Sequence, residues 1–243
     1  MESPTQPDAN ARHGERVLVI MAKAPRAGTV KTRLSPTLPA IAVAELYRCL
    51  LDDTLTLAAS LAEVTVAVMC PAADVEELTS LVGDRTCVVA QAGDGLAAGL
   101  NSVFTQFARG KGRRVAALDS DSPHLPRRVL EEAFDTLVGH DLVVGPTHDG
   151  GYYLVGAKSS HPTLFAAEGI GTGRALEGLL AEARVLGLSV GLVDPFYDID
   201  VAEDLARLAQ ELRRWPARAP RTALWLGEWE ARQGESRSRT GAL

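Results

Sequence analysis

Along residues 16–214, short apolar runs alternate with longer stretches whose apolar positions recur every three to four residues. "RVLVIMA", "EVTVAVMC", "TCVVAQ", "RRVAALD" and "DLVVGPT" have the length and β-branched content of buried strands. Between them "PAIAVAELYRCLLDDTLTLAAS", "DVEELTSLV", "GLAAGLNSVFTQFA" and "PRRVLEEAFDTLV" carry helical spacing. Asp74 sits near the N-cap of the second and Pro126 opens the fourth. This alternation predicts an α/β fold, a mostly parallel sheet with helices on both faces. The rhythm breaks once. "DLVVGPT" and "YYLVGAK" are separated only by "HDGG", too short for a crossover helix, so this pair is predicted to be antiparallel and the sheet mixed. A helix from about Thr172 to Leu186, the strand "SVGLV", the turn "YDID" and a last helix "VAEDLARLAQELRR" complete the predicted domain.

Composition sets the outline of the molecule. At 243 residues and 46% hydrophobic, the chain can bury one sizeable core, so a single domain is expected over residues 16–214. Residues 1–15 are polar, with Pro4, Pro7 and Gly14, and read as a disordered leader. Residues 215–243 are rich in Pro, Arg and Gly and read as a partly ordered tail that Trp225 and Trp229 could dock. A formal charge of -6 argues against nucleic acid as partner, since phosphate neutralisation needs a net basic face. No run approaches the roughly 20 apolar residues of a membrane span, and the first residues lack the apolar stretch of a signal peptide. A cytoplasmic protein is expected. Cys49, Cys70 and Cys87, odd in number and without metal-like spacing, read as reduced core thiols.

In parallel sheets ligands bind beyond the carboxyl ends of the strands, and the unusual polar clusters of this chain all fall there. The loop "APRAGTVKTRL" after the first strand holds Ala24, Arg26, Gly28, Lys31 and Arg33. Three cations on one short turn repel each other unless something negative lies among them. The phosphates of a nucleotide would serve: Gly28 lets the backbone approach, while Lys31 and Arg33 offer a point charge and a planar fork. The spacing is neither a Walker A loop nor a dinucleotide-binding glycine fingerprint. The other reading is a turn whose cations pair with helix carboxylates. After "VAAL" come Asp119, Ser120 and Asp121; two carboxylates at a strand end can hold Mg2+ or Mn2+, or can cap the next turn. Asp198 and Asp200 in "YDID" form a second pair, one of which could reach the same ion, although Asp200 could equally cap the last helix. In "HDGG", His148, Asp149, Gly150 and Gly151 leave room for a second substrate or simply make a hairpin turn. His124 lies beside this proposed site, and no Ser-His-Asp order or zinc spacing stands out.

"MAKAPRAGTVKTRLSP", "DSDSPHLP", "GPTHDGGYYLVG" and "DIDVAEDL", in this order, resemble the bacterial DUF2064 family of glycosyltransferase-like proteins over about Val17 to Leu212. The resemblance implies a compact GT-A fold, the three-layer sandwich of nucleotide-diphospho-sugar transferases, which also serves nucleotidyltransferases. It assigns Lys31 and Arg33 to nucleotide phosphates, with Ala24, Arg26 and Gly28 in the same loop. It assigns Asp121 to the metal and Asp200 near it, while Asp119 is a metal candidate from its own position two residues before Asp121. It also implicates Asp149, Gly150 and Gly151 in the acceptor pocket, beside which His148 is a further candidate contact, and Asp121 and Asp149 are the candidate catalytic carboxylates. The chain departs from the family pattern at Asp119, where a Gly is expected, at His124, where an acidic residue is usual, and in "GIGTGRAL", which lacks a Trp before its Thr. The implied function is metal-dependent transfer of a sugar from a nucleotide-activated donor to a small acceptor. Nucleotidyl transfer with release of pyrophosphate and nucleotide binding without turnover are the alternatives.

Overall fold

The computed structural model describes residues 16–84, 86–110, 112–166, 171 and 173–240, with the backbone alone given for 234–240. The leader expected over residues 1–15 lies outside the described residues. Strand β1 (Arg16–Met21) shows why a continuous apolar run was needed. Leu18 and Ile20 point to one face of the sheet and pack in a cluster with Leu51, Leu78 and Phe134. Val17 and Val19 point to the other and join Val103, Phe104 and Leu179. Side chains alternate across a strand, so a strand covered on both faces must be apolar at every position. Helices α1 (Ala40–Ala59), α2 (Val75–Val82) and α4 (Arg127–Gly139) cover the first face, and α3 (Gly95–Phe107) and α5 (Ala175–Val185) cover the second.

The remaining strands are β2 (Val64–Cys70), β3 (Cys87–Ala90), β4 (Arg114–Leu118), β5 (Leu142–Pro146), β6 (Tyr152–Ala157) and β7 (Val190–Leu192), in the sheet order β3-β2-β1-β4-β6-β5-β7. All neighbours are parallel except β6, which runs antiparallel to both β4 and β5. The mixed sheet and the β5–β6 hairpin are therefore as expected, and the chain has the predicted α/β architecture. Insertion of β6 between β4 and β5 has one consequence for the site. Leu118 at the end of β4 pairs with Leu154 near the start of β6, and the Asp119 N–H extends the ladder to the Tyr153 carbonyl at 3.0 Å. The β5–β6 turn is thereby placed beside the first acidic cluster.

A third apolar cluster joins α1 to α6 (Ala202–Arg214) and α7 (Pro220–Thr240), with Leu46, Leu50, Ile199, Leu208 and Trp225 at its centre. The segment read as a partly ordered tail thus contains a long helix over 220–240. Its N-terminus is held by Asp53 of α1, whose carboxylate accepts from the Thr222 N–H and hydroxyl, both at 2.8 Å, and from the Arg221 N–H at 3.2 Å. The two N–H groups are donors that a helix start leaves without intrahelical partners. Trp225 and Trp229 stack at 5.4 Å against the same cluster. Of the three thiols only Cys70 is buried; Cys49 is half-buried, and Cys87, expected in the core, is exposed at the start of edge strand β3. Burial pushes both Cys49 and Cys70 up to about 11.

Candidate functional site

A cleft of about 740 Å³ runs along the carboxyl ends of β1, β4 and the β5–β6 turn. That size is within the range of small-molecule sites. Its floor is acidic. One carboxylate oxygen each from Asp119, Asp121 and Asp198 lies within 4.8 Å of the others. Asp119 and Asp121 arrive on the turn after β4, and Asp198 on the segment after β7. Asp119 Oδ2 accepts from the Ser122 hydroxyl at 2.9 Å, while Asp119 Oδ1 and Asp121 Oδ1 are closed off from solvent without a hydrogen-bond partner. Burial, then the neighbouring charges of Asp121 and Asp198, hold the Asp119 carboxyl well above the usual range. Burial and Asp121 raise Asp198 to about 6. Such an arrangement is costly for the fold unless a cation comes to it. Three converging carboxylates with two unsatisfied buried oxygens match the oxygen-ligand chemistry of a hard divalent cation such as Mg2+ or Mn2+.

Lys31 and Arg33 reach the same place from the loop after β1. The Lys31 ammonium is ion-paired with Asp121 and lies 3.0 Å from Asp200 Oδ1, and Arg33 is 2.6 Å from Asp200 Oδ2. Burial opposes the charge on Lys31, but Asp121 and Asp200 outweigh it and leave its pKa raised. Burial likewise pushes Asp200 up, and Lys31 and Arg33 bring it below the ordinary carboxylate value. So the "YDID" pair divides its labour. Asp198 joins the acidic trio, whereas Asp200, expected beside a metal, faces the two cations. Nor does Asp200 cap α6: Asp204 reaches back to the Asp200 and Val201 N–H groups at 3.1 and 2.9 Å.

The first half of the basic loop behaves differently from the second. Arg26 bonds Asp74 and Glu77 of the α2 region, both at 2.7 Å, and the Ala24 N–H is taken by Asp74 Oδ2 at 3.0 Å. Asp74 makes no side-chain cap to α2 because its carboxylate is spent on the loop. Gly28 supplies a φ of +79° with open space around it, a requirement of the turn. Arg26 thus pairs with carboxylates of the α2 region, and Ala24, Arg26 and Gly28 are not among the residues that line the cleft.

The "HDGG" turn forms the far wall. Asp149 and Gly151 line the cleft, while His148 is exposed and does not. Asp149 Oδ1 accepts from the Thr147 hydroxyl and, at 3.2 Å, from the Gly151 N–H. Gly150, at φ +89°, lets the turn press against residues 173–176: a Cβ there would lie 2.1 Å from the Gly173 carbonyl, and the Leu176 N–H reaches the Gly150 carbonyl at 3.0 Å. His124 proves to be a core residue, packed on Phe196 and Tyr197 and lowered by burial to about 3. Tyr47, Tyr152 and Gln91 also line the cleft, and of these only Tyr152 falls within one of the quoted family motifs. Tyr47 sits on the apolar stripe of α1, yet its hydroxyl bonds Ser120 at 2.9 Å and accepts the Lys23 N–H at 3.1 Å. Tyr152 has a buried hydroxyl without a partner, and Gln91 follows β3 with its amide donating to the Gly93 carbonyl at 2.8 Å.

Comparison with known proteins agrees with this fold. No curated protein matches the sequence. A solved structure from Desulfovibrio desulfuricans G20, of a protein provisionally named a nucleotide-diphospho-sugar transferase, is 26% identical, with a TM-score of 0.81 over 90% of this chain and 96% of that one. The 4-diphosphocytidyl-2C-methyl-D-erythritol synthase of Anaerococcus prevotii shares 12% identity at a TM-score of 0.54, covering 82% and 97% of the two chains. A nucleotidyl transferase from a Methanothermobacter species shares 17% at 0.54, covering 83% and 99%. The last two show the fold alone. The family model described as an uncharacterized protein conserved in bacteria matches residues 54–172, a stretch that includes "DSDSPHLP" and "GPTHDGGYYLVG". Residues 54–172 thus match the DUF2064 family whose motifs the sequence resembles, and the fold around them is that of the nucleotide-diphospho-sugar transferases.

Proposed function

We propose that the protein is a metal-dependent glycosyltransferase that moves a sugar from a nucleotide diphosphate sugar to a small acceptor. The observation that carries the metal-dependent, nucleotide-using part of this reading is the meeting of Asp119, Asp121 and Asp198 with Lys31 at one end of an otherwise mixed polar and apolar cleft. Asp119, Asp121 and Asp198 would hold Mg2+ or Mn2+, which when bound supplies charge to offset the departing diphosphate. Lys31 and Arg33 contact the phosphate oxygens. The nucleoside lies over the β1–β3 half, against Pro71, Gln91 and Asp94. The acceptor sits between Asp149, Gly151 and Tyr152. Asp149 is the base for the acceptor: the hydrogen bonds to its carboxylate fall on Oδ1, which fixes its orientation and leaves Oδ2 to take a proton. The provisional name of the Desulfovibrio desulfuricans G20 protein supports sugar transfer.

Nucleotidyl transfer is the second reading, because a triphosphate would meet the same lysine, arginine and carboxylates. The products separate the two. A panel of nucleotide sugars and nucleoside triphosphates is first ranked by Mn2+-dependent rise in melting point, since a ligand of the native state stabilises it by mass action. The best of each class is then incubated with the protein, with small-molecule extracts as acceptor source. Sugar transfer predicts that a nucleotide sugar gives the largest shift and yields free nucleoside diphosphate. Release of pyrophosphate from a triphosphate would overturn it in favour of nucleotidyl transfer.

A further inference from the structure

The position of Lys31 implies more than a phosphate contact. Its ammonium is buried among carboxylates, paired with Asp121 and 3.0 Å from Asp200, although Asp121 is also one of the three residues whose oxygens converge. Its backbone is held in the left-handed region, at φ 45° and ψ 44°, which among the described non-glycine residues only Glu63 shares. A lysine pays for that conformation only where its surroundings over-determine it. Four carboxylates, Asp119, Asp121, Asp198 and Asp200, here face two cations, Lys31 and Arg33. Two of the carboxylate oxygens, Asp119 Oδ1 and Asp121 Oδ1, are buried and still unpartnered with the ammonium in place. The cluster therefore has ligand capacity that Lys31 does not use, and one ligand, Asp121, that Lys31 does use.

We propose that Lys31 is the resident cation of the acidic cluster in the metal-free protein and is exchanged for the divalent cation, leaving Asp121 and swinging to the phosphates of the donor. This rests on the metal reading given above and adds an order to it. A divalent cation on Asp121 and an ammonium on the same carboxylate repel each other, so the ion alone binds weakly. A diphosphate gives the displaced ammonium a new partner, so ion and diphosphate strengthen each other's binding, and by linkage they do so equally. The move requires the Lys31 ammonium to give up its ion pairs with Asp121 and Asp200, which lie on segments other than the loop after β1. The base of that loop stays fixed, since Arg26 remains anchored on Asp74 and Glu77.

Mn2+ binding, read from the electron paramagnetic resonance signal of the free ion, tests the exchange without any catalysis. Wild-type protein and Lys31→Met are titrated with Mn2+ alone and with each of the four nucleoside diphosphates. The exchange predicts that Lys31→Met binds Mn2+ alone about tenfold more tightly than wild type. It also predicts that the diphosphate tightens Mn2+ by about tenfold or more in wild type and hardly at all in the variant, a coupling of ordinary size. Equal Mn2+ affinity in the two proteins overturns the exchange and leaves the metal site standing. No Mn2+ binding by either protein, with or without diphosphate, overturns the metal site and the exchange with it. Should Lys31→Met not fold, the wild-type protein answers alone. The chain has four lysines, Lys23, Lys31, Lys111 and Lys158, so reductive methylation can be assigned peptide by peptide. Lys31 should be protected in the metal-free protein, become several-fold more reactive with Mg2+ alone, and be protected again with Mg2+ and diphosphate; reactivity indifferent to Mg2+ overturns the proposal.

Discussion

Replacing Asp53 with Ala should strongly destabilise the protein. The carboxylate is 2% exposed and receives three donors from the start of α7, two of them from Thr222, itself fully buried. Without it the Thr222 N–H and hydroxyl are left buried and unsatisfied, at about 1–3 kcal/mol each. A negative charge at a helix N-terminus also contributes, up to about 2 kcal/mol in a partly buried setting. Working against these is the cost of keeping a carboxylate out of water. A net loss of about 3–4 kcal/mol is expected, a large share of a total stability of about 5–15 kcal/mol. At roughly 2–4 °C per kcal/mol for a chain of this size, the melting point should fall by about 6–16 °C. Urea unfolding gives the free-energy loss and thermal unfolding the melting point, each followed by circular dichroism and by Trp fluorescence, because Trp225 lies in the cluster that α7 closes. Asp53→Asn, which keeps an acceptor, should lose about half as much. A loss below 1 kcal/mol for Asp53→Ala would mean that α7 is not fastened to α1 in this way.

Three further outcomes follow from the site. Burial and Asp121 hold Asp198 at about 6, above its unfolded value, so its ionisation weakens the folded state. Its contribution to stability is present below about pH 4 and is lost as pH rises through about 6, while divalent-cation affinity changes in the opposite sense and falls below about pH 6. Asp198→Asn should reduce the difference in stability between pH 4 and 7 and weaken the pH dependence of Mn2+ binding, the remainder coming from Asp119; an unchanged profile would reassign the group. Gly150→Ala places a Cβ 2.1 Å from the Gly173 carbonyl at a φ of +89°, and should cost about 1–3 kcal/mol and lower acceptor use more than donor binding. Arg26→Met should leave nucleotide affinity within about twofold by calorimetry, because its partners are Asp74 and Glu77; a tenfold loss would restore Arg26 to the phosphates.

The sheet was legible because its strands are buried on both faces, and a chain with Val17 to Ile20 apolar at every position has no other economical use for them. The antiparallel pair was legible from the four-residue spacing at "HDGG". The site was legible by region and not by partner. Asp198 and Asp200 are two residues apart on an irregular segment, and nothing in their spacing says which of them faces the β4 turn and which faces Lys31. Arg26 and Lys31 share one loop, yet their partners come from chain segments about 50 and 170 residues away. Long-range ion pairs of this kind leave no periodicity. The same holds for α7, where Pro220, Arg221 and Gly227 signal a tail while Asp53, far back in the chain, supplies the cap.

Metal-dependent diphosphate binding through Asp121 is what the proposed chemistry requires first. Isothermal titration of wild-type protein and Asp121→Asn with a nucleoside diphosphate, in Mn2+ and again in excess chelator, measures it. Wild type should bind at least tenfold more tightly in Mn2+ than in chelator, and Asp121→Asn should bind with the same reduced affinity in both. Wild-type binding that is equally tight in Mn2+ and in chelator would contradict the account.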